Sequence, residues 1–294
     1  MNRLNKLFSR VFALLIVTAL AATLTLAQNS SSPQEDKFQR TFTLNAGGTL
    51  RVDNYKGTIH VTGSNSNQVV VNVVKRFDGT ESDRKWWMEN TRVDFSNDSG
   101  RVEVKVRYPT QTWSCWLCGW DHEYTAQVEL EIQVPRQTNL EVESYKPDIR
   151  VSKLNGDIHI KSYKSPMTIE STTGAIRIDT YKDSIRLKNV TVRGALEVKS
   201  YKADAEIDAT SLGERAYLES SKGSIVLRVP QNTGMAVDFQ GGRRASFRSD
   251  FPLNAEAGSR SGQDVRGTIN SGGSDVHFRT EKGSVELRKL SAAL

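Results

Sequence analysis

The stretch that decides the fold is residues 145–189, YKPDIRVSKLNGDIHIKSYKSPMTIESTTGAIRIDTYKDSIRLKN. It divides into nine-residue units, and each unit begins with polar or glycine residues and ends in an apolar–polar–apolar triplet. The paired apolar positions are Ile149/Val151, Ile158/Ile160, Met167/Ile169, Ile176/Ile178 and Ile185/Leu187. Alternation with a period of two is typical of half-buried β-strands. The sequence therefore predicts stacked short strands that each turn one side inward.

A longer repeat is marked by Tyr-Lys pairs. They begin at Tyr145, Tyr163, Tyr181 and Tyr201, and Ser221 takes the equivalent place in the next repeat, so the spacing is 18, 18, 20 and 20 residues. Two strands in each repeat, stacked on the preceding repeat at about 4.8 Å, make a solenoid. We predict an all-β protein built as a single-stranded β-solenoid, similar to a β-helix or β-roll, with coils of 18–20 residues.

The chain divides into five regions. Residues 1–27 combine a basic start, an apolar run and small residues at the end, which is typical of a secretory signal peptide; an uncleaved anchor is the alternative. Residues 28–39 are polar and predict a linker. We expect an N-terminal β region with a long hairpin over residues 40–135, regular solenoid repeats over 136–229, and final coils with a cap over 230–294.

Composition excludes several classes of function. Three of the 40 basic residues lie in the signal peptide, which leaves 37 basic against 34 acidic residues and a formal net charge of +3. No segment is basic enough to predict nucleic-acid binding, and no membrane span is expected after signal cleavage. The sequence lacks a P-loop, an HExxH motif and a Ser/His/Asp arrangement. We therefore predict a non-catalytic protein without a cofactor or a metal site.

The segment PTQTWSCWLCGWDH, residues 109–122, is predicted to be the hairpin tip. Its cysteines and tryptophans are Trp113, Cys115, Trp116, Cys118 and Trp120. In an exported protein with two cysteines, the first expectation is a Cys115–Cys118 disulfide, which contributes about 2 kcal/mol. The tryptophans either form a small satellite core with Trp86 and Trp87 or present an aromatic patch to a sugar, a protein or a membrane surface.

The tyrosines of the repeat form a second candidate binding surface. Alternation places Tyr145 and Tyr163 outward unless the chain turns a corner there. Their aromatic faces and the adjacent ammonium groups suit an anionic glycan, whereas stacking between coils is the structural alternative. Asp148, Asp183 and Asp204 follow their lysines within two positions, and this local neutralisation favours the structural alternative. The candidate residues are Tyr145, Tyr163, Tyr181 and Tyr201.

Further motifs resemble a known family. The Val-Pro segments at Val134-Pro135 and Val229-Pro230, the nine-residue G-x-Φ-x-Φ units, the SDFPL stretch at 249–253 and the closing GTINSGG at 267–273 are similar to the bacterial "putative adhesin" domain family. The resemblance covers roughly residues 42–289. It implies a β-solenoid at the cell envelope with an adhesive or scaffolding role and without established catalytic residues. The Trp/Cys tip and the regular Tyr-Lys pairs depart from the family pattern.

Together these features predict an exported envelope protein that presents a binding surface on a rigid solenoid. Its partner would be an envelope glycan or protein. A passive, self-associating scaffold is the alternative, and a polysaccharide-acting β-helix enzyme is a third, because fold alone does not specify chemistry. The periplasm, the cell envelope and the extracellular space all fit the signal peptide.

Overall fold

The structure is a computed structural model that describes residues 35–77, 81–98, 100–109, 126–255 and 264–291. These parts of the chain form twenty strands and one helix. The elements are β1 (Asp36–Thr43), β2 (Thr49–Asn54), β3 (Gly57–Ser64), β4 (Gln68–Arg76), α1 (Glu81–Asn90), β5 (Arg92–Asp98), β6 (Arg101–Arg107), β7 (Gln127–Pro135), β8 (Asn139–Ser144), β9 (Asp148–Ser152), β10 (Ile158–Lys164), β11 (Met167–Glu170), β12 (Thr173–Ser211), β13 (Arg215–Ser220), β14 (Ile225–Val229), β15 (Met235–Gly241), β16 (Ser246–Ser249), β17 (Asn254–Ala255), β18 (Asp264–Ile269), β19 (Ser274–Thr280) and β20 (Ser284–Lys289). The prediction of an all-β protein is confirmed.

Most strands belong to two rows of parallel strands, which we call face 1 and face 2. Face 1 contains, in spatial order, β6, β2, β8, β10, β12, β13, β19 and β15. Face 2 contains β7, β3, β9, β11, β12, β14, β20 and β16. The long β12 continues through the corners and contributes two segments to each face. Each repeat thus supplies one strand to each face.

Strand register follows the repeat read from the sequence. On face 1, Ile158 lies beside Ile176, a separation of 18 residues, and farther along Val198 lies beside Leu218, a separation of 20 residues. The inward positions of the two faces share one apolar core, and the two apolar residues of each predicted triplet lie inside it. Ile149, for example, is completely buried. Burial of each such aliphatic side chain contributes about 1.5–3 kcal/mol, so the core stabilises a coil only when its neighbours are present.

Antiparallel strands and phenylalanine rings close both ends of the core. At the amino-terminal end β1 pairs with β4, β4 with β7, and β5 with β6, all antiparallel. Phe38 lies on Phe95 there, with ring centroids 6.3 Å apart. At the other end β18 pairs antiparallel with β15 and β17, and Phe247 contacts Phe239 and Phe278 at 5.2 and 6.1 Å. These rings cover the apolar core where the stack of coils ends.

The order of the coils in space differs from their order in the sequence at both ends. The β2–β3 coil lies between the β6–β7 coil and the β8–β9 coil. The β19–β20 coil lies between the β13–β14 coil and the β15–β16 coil. The last units of the sequence, with Val276/Phe278 and Val285/Leu287, therefore do not end the stack, because the final coil is inserted one position inside the end.

Two sequence-based predictions for the N-terminal region are corrected by the pairing. The strands on either side of residues 110–125, β6 and β7, do not form a hairpin, because β6 is occupied on both edges by β2 and β5, and β7 by β3 and β4. The two strands lie on different faces. The predicted linker is also too long, since β1 already begins at Asp36. Residues 36–39 are held by antiparallel pairing with β4.

Candidate ligand-binding edge

The Tyr-Lys pairs lie where each coil passes from face 1 to face 2. In one coil, Ile160 is paired on face 1 and Met167 on face 2, and Tyr163-Lys164 lies between them. In the preceding coil β8 ends at Ser144, one residue before Tyr145. The chain does turn a corner at the tyrosines, and alternation before the corner still places them on the outside. The pairs therefore line one edge of the stack.

A buried polar residue before the pair fixes several of these corners. The Asn54 side chain is fully buried, and its amide donates to the Val128 carbonyl at 2.9 Å. In a later coil the Ser220 hydroxyl donates to the Ala203 carbonyl at 2.9 Å and accepts from the Gly223 amide at 3.0 Å. Since buried polar groups are costly without partners, these bonds hold the inward side chain in place. The following residue is thereby directed outward at a fixed position.

Five tyrosine rings stack along the edge, and we call this set the tyrosine ladder: Tyr55, Tyr145, Tyr163, Tyr181 and Tyr201. Successive ring centroids are 4.7, 4.9, 4.9 and 5.1 Å apart. The interplanar angles are 6°, 11°, 16° and 22°. The stacked arrangement expected from the repeat is present. Each contact contributes about 0.5–1.5 kcal/mol beyond area burial, so the ladder stabilises the stack of coils.

Both ends of the tyrosine ladder are closed by other side chains. At one end the Tyr108 ring lies edge-on to Tyr55 with centroids 5.8 Å apart. The Tyr108 hydroxyl donates to Asn54 Oδ1 at 2.7 Å or to the Lys56 carbonyl at 2.9 Å, and burial raises the pKa of Tyr108 far above its usual value near 10. At the other end Lys222 Nζ lies 4.6 Å from the Tyr201 centroid.

A hydrogen bond from Lys222 to the Tyr201 hydroxyl couples the titration of the two groups. It lowers the pKa of Tyr201 and raises the pKa of Lys222, because the ammonium and the phenolate stabilise each other. Both groups are exposed, so solvent screens the interaction. Lys222 occupies the place where a sixth ring would stack.

The closed ladder corrects the binding mode expected from the sequence. Because each interior ring has a neighbouring ring on both faces, no interior face is available for a sugar to stack on. Solvent reaches the ring edges and the hydroxyl groups instead, and Tyr181 is the most open ring at 38% exposure. The edge of an aromatic ring is its electropositive part. The tyrosine ladder therefore presents hydrogen-bonding hydroxyls and a weakly positive surface.

A lysine follows each corner residue, and we call these six the lysine row: Lys56, Lys146, Lys164, Lys182, Lys202 and Lys222. Lys164 and Lys182 are register partners on neighbouring strands. Lys164 Nζ lies 5.0 Å from the Tyr163 centroid, and Lys202 Nζ lies 5.5 Å from the Tyr201 centroid. Two like charges separated by the distance between neighbouring coils repel by roughly 0.9 kcal/mol in water. The nearby electron-rich rings offset part of that repulsion.

The aspartates that follow the lysines do not neutralise them as expected. Asp148 pairs with Arg150 at 3.0 Å, and Asp204 accepts a hydrogen bond from the Ser224 amide at 2.7 Å. Among the described residues, Lys164 and Lys182 form no ion pair. Direct ion pairs with the following aspartates therefore do not hold these two lysines.

The two faces next to the edge carry cross-strand ion pairs. On face 1, Arg51 contacts Glu103, Glu141 and Glu143 at 3.8, 3.6 and 3.0 Å. On face 2, Arg228 pairs with Asp208 at 2.8 Å. Exposed cross-strand pairs of this kind contribute little stability, and other cations of the faces, such as Lys161 and Lys188, form no ion pair among the described residues. The lysine row differs from these cations in its alignment, because one lysine follows each corner at the spacing of the coils.

A depression of about 420 Å³ on face 1 is a second candidate site on the described surface. Its lining includes Asn139, Asp157, His159, Arg177 and Glu197. Asn139 Oδ1 accepts from the Asp157 amide, and Asp157 Oδ1 accepts from the Ala175 amide, each at 2.9 Å. These side chains therefore hold successive turns together. Across the described residues, no group of three or more His, Cys, Asp or Glu side chains is placed to bind a metal ion.

The tryptophan-rich candidate site is only partly within the described structure. Trp113, Cys115, Trp116, Cys118 and Trp120 lie outside the described residues, so their exposure and the disulfide stay predictions. Trp87 packs with Phe77 and Ala126 in a satellite core, as the structural alternative predicted for it. Trp86 is 42% exposed and lies edge-on to Trp87.

The sequence-based candidates on the edge were four tyrosines, so the lysine row, Tyr55 and Tyr108 were not among them. Tyr55 belongs to the tyrosine ladder, and the Tyr-Lys-Gly-Thr-Ile-His-Val unit at 55–61 already carried the repeat pattern. Lys222 was visible only as the residue after Ser221. Tyr108 has no pattern that could have revealed it, because it reaches the edge from the end of β6.

Comparison with known proteins places the chain in a family. A family model described as Toastrack DUF4097 matches residues 18–288. The chain therefore belongs to this family, and the resemblance to an adhesin-like domain family is confirmed. A comparison with curated proteins gives no significant match. In the described parts of the chain, no helix has the length and apolar character needed to cross a membrane.

Several solved structures are similar to the chain. A "putative cell adhesion protein" from Clostridium sporogenes is 10% identical, covers 88% of this chain and 100% of its own, and has a TM-score of 0.36. A "putative adhesin" from Bacteroides fragilis is 12% identical, with 88% and 99% coverage and a TM-score of 0.38. A "putative lipid binding protein" from Parabacteroides distasonis is 10% identical, with 87% and 97% coverage and a TM-score of 0.24. Similarity this distant carries no argument about the ligand.

Proposed function

We propose that the protein is an exported, non-catalytic binding module of the cell envelope, with the tyrosine ladder and the lysine row as its ligand-binding edge. One observation carries this proposal: the lysines of the row follow one edge at the spacing of the coils, and among the described residues the ammonium groups of Lys164 and Lys182 form no ion pair. Unbalanced like charges cost stability, and the core does not need them. Attraction of an anionic partner gives the row a role.

The β-solenoid proposed from the sequence suits this function because it keeps the edge rigid. Strand pairing on both faces fixes the distance between successive corners, and the stacked rings restrict the side chains that lie beside each lysine. A preorganised surface loses less conformational entropy when a ligand binds. Export is supported by the signal peptide pattern in residues 1–27, and the absence of recognisable catalytic motifs supports a non-catalytic role.

The test compares two variants with equal loss of charge. The Lys164→Ala/Lys182→Ala variant removes two members of the lysine row, and the control Lys161→Ala/Lys188→Ala removes two lysines from elsewhere on the same coils. Binding to immobilised heparin, used as a generic polyanion, is measured as a function of salt. We expect the first variant to elute at clearly lower salt than the control. Equal elution of the two variants would refute the edge as the binding surface.

The tryptophan-rich segment is the second candidate surface for the same function. A Trp116→Ala/Trp120→Ala variant belongs in the same binding screen, which should include envelope glycans, peptidoglycan and lipids. Loss of binding in this variant alone, at unchanged thermal stability, would transfer the proposed site to that segment. If neither surface matters and the mature protein self-associates in sedimentation experiments, the scaffold alternative replaces the binding module.

A further inference from the structure

We infer that the ligand of this edge is an extended acidic polysaccharide that lies parallel to the stack axis, with one carboxylate near each coil. The inference rests on the proposed function and adds the chemical class, the direction and the charge spacing of the ligand. It follows from three properties of the edge: its repeat distance, its width and the groups that it presents.

The repeat distance limits the kind of polymer that can follow the lysine row. Along the edge the tyrosine rings advance by 4.7–5.1 Å per coil, so the six lysines extend over roughly 24 Å at the usual strand spacing. An extended chain of sugar acids carries one carboxylate per ring, and the length of one ring along such a chain is close to the distance between two coils. A DNA strand, with one phosphate for about 3.4 Å of helix axis, loses register with the lysines within a few steps.

The width of the lysine row favours a single chain over a membrane. Asp183 and Asp204, which form no ion pair among the described residues, lie on the face 2 side of the lysine row, and Glu143 and Asp179, which pair with Arg51 and Arg177, lie on the face 1 side. A single polymer chain contacts the lysines without reaching both sets of carboxylates. The headgroups of an anionic bilayer extend to both sides and would meet those carboxylates as well. Repulsion from the two unpaired aspartates, Asp183 and Asp204, therefore opposes flat docking on an anionic membrane.

The groups beside the lysines also suit a carbohydrate acid. Each ring of the ladder presents a phenol hydroxyl at the edge, which donates to a carboxylate or a ring oxygen and accepts from a sugar hydroxyl. At Tyr201 the hydroxyl already accepts a hydrogen bond from Lys222, which marks that end of the row. A bound chain also relieves the repulsion between neighbouring ammonium groups. Each added sugar acid then makes the same contacts as the previous one.

Repetition of identical contacts predicts how affinity changes with ligand length. Oligogalacturonates of two to ten residues are titrated into the signal-free protein by calorimetry. We expect affinity to increase with each residue up to about six, the number of lysines in the row, and then to level off. Methyl-esterified oligomers should bind at least tenfold more weakly, because esterification removes the charge and keeps the sugar.

Two variants connect the length dependence to the edge. Lys164→Ala/Lys182→Ala should lower the affinity for the hexamer at least tenfold, whereas Lys161→Ala/Lys188→Ala should stay within twofold of the unchanged protein. Tyr181→Phe removes one hydroxyl, keeps the stacked ring and should reduce affinity measurably. Far-ultraviolet circular dichroism verifies that each variant is folded.

The outcomes separate this inference from the proposed function. Affinity that does not depend on oligomer length or on esterification would overturn the polysaccharide assignment. Binding to phosphatidylglycerol vesicles that depends on Lys164 and Lys182, without binding to oligogalacturonate, would also overturn it and would leave the binding edge in place. If no anionic ligand distinguishes the lysine-row variant from its control, both the inference and the proposed function fail.

Discussion

Replacement of Tyr163 by alanine should destabilise the protein through the loss of stacking at the middle of the tyrosine ladder. The Tyr163 ring lies 4.9 Å from Tyr145 on one side and 4.9 Å from Tyr181 on the other. Two contacts at about 0.5–1.5 kcal/mol each give about 1–3 kcal/mol. Loss of the contact between the ring and the Lys164 ammonium, which lies 5.0 Å from the ring centroid, adds about 0.5 kcal/mol at this partly exposed position.

The matched control is Tyr163→Phe, which keeps the ring and removes only the hydroxyl. Urea denaturation followed by circular dichroism gives the free energy of unfolding of both variants and of the unchanged protein. We expect the phenylalanine variant to stay within about 0.5 kcal/mol of the unchanged protein, as surface substitutions usually do. Equal destabilisation by Phe and Ala, or a change below about 0.5 kcal/mol for Ala, would refute stacking as the source of stability.

Three further predictions concern the core and the end of the ladder. Tyr108→Phe should cost about 1–3 kcal/mol at neutral pH, because Asn54 loses a buried partner. Since the pKa of Tyr108 is raised on folding, the contribution of its hydroxyl to stability is complete below about pH 10 and decreases above it. Between pH 7 and 11 the free energy of unfolding should therefore fall more steeply for the unchanged protein than for the variant. Gly213→Ala places a Cβ 2.1 Å from the Gly194 carbonyl oxygen and should cost about 3 kcal/mol. Gly100→Ala, with open space but a φ of +87°, should cost about 1 kcal/mol. If thermal melts showed a larger loss of stability for Gly100→Ala than for Gly213→Ala, the close approach of these coils would be contradicted. Phe278→Ala empties a position that is 1% exposed in the inserted coil and should cost about 3–5 kcal/mol, so a melting temperature within a few degrees of the unchanged protein would argue against that insertion.

The regular part of the fold could be predicted because its repeat is local. A nine-residue unit such as the one that ends in Met167 and Ile169 has only one side apolar, so its inward direction follows from alternation alone. The Tyr-Lys spacing gave the coil length in the same way, and parallel register then placed Tyr145 beside Tyr163. These properties depend on neighbouring residues and on the repeat, both of which are visible in the sequence.

The positions of the end coils could not be predicted, because similar units can stack on one another in more than one order. The triplet with Val276 and Phe278 fits beside β13 as well as beyond β15, and only the complete structure places it between them. The predicted hairpin of β6 and β7 was wrong for a similar reason, since alternation does not distinguish the strands of a hairpin from strands on opposite faces. Charge pairing could not be predicted because Asp148 lies two residues from both Lys146 and Arg150, and nearness in sequence did not show that it pairs with Arg150.

The inserted coil has a mechanical consequence when the chain is pulled. Strand β20 is held by β14 on one side and by β16 on the other, so a pull along it loads two sets of hydrogen bonds in shear at once. Strand β1 has β4 as its neighbour among the described strands, and a pull that peels it away breaks those bonds one after another. Under tension the molecule should therefore yield first at its amino-terminal strand, while its last coil holds.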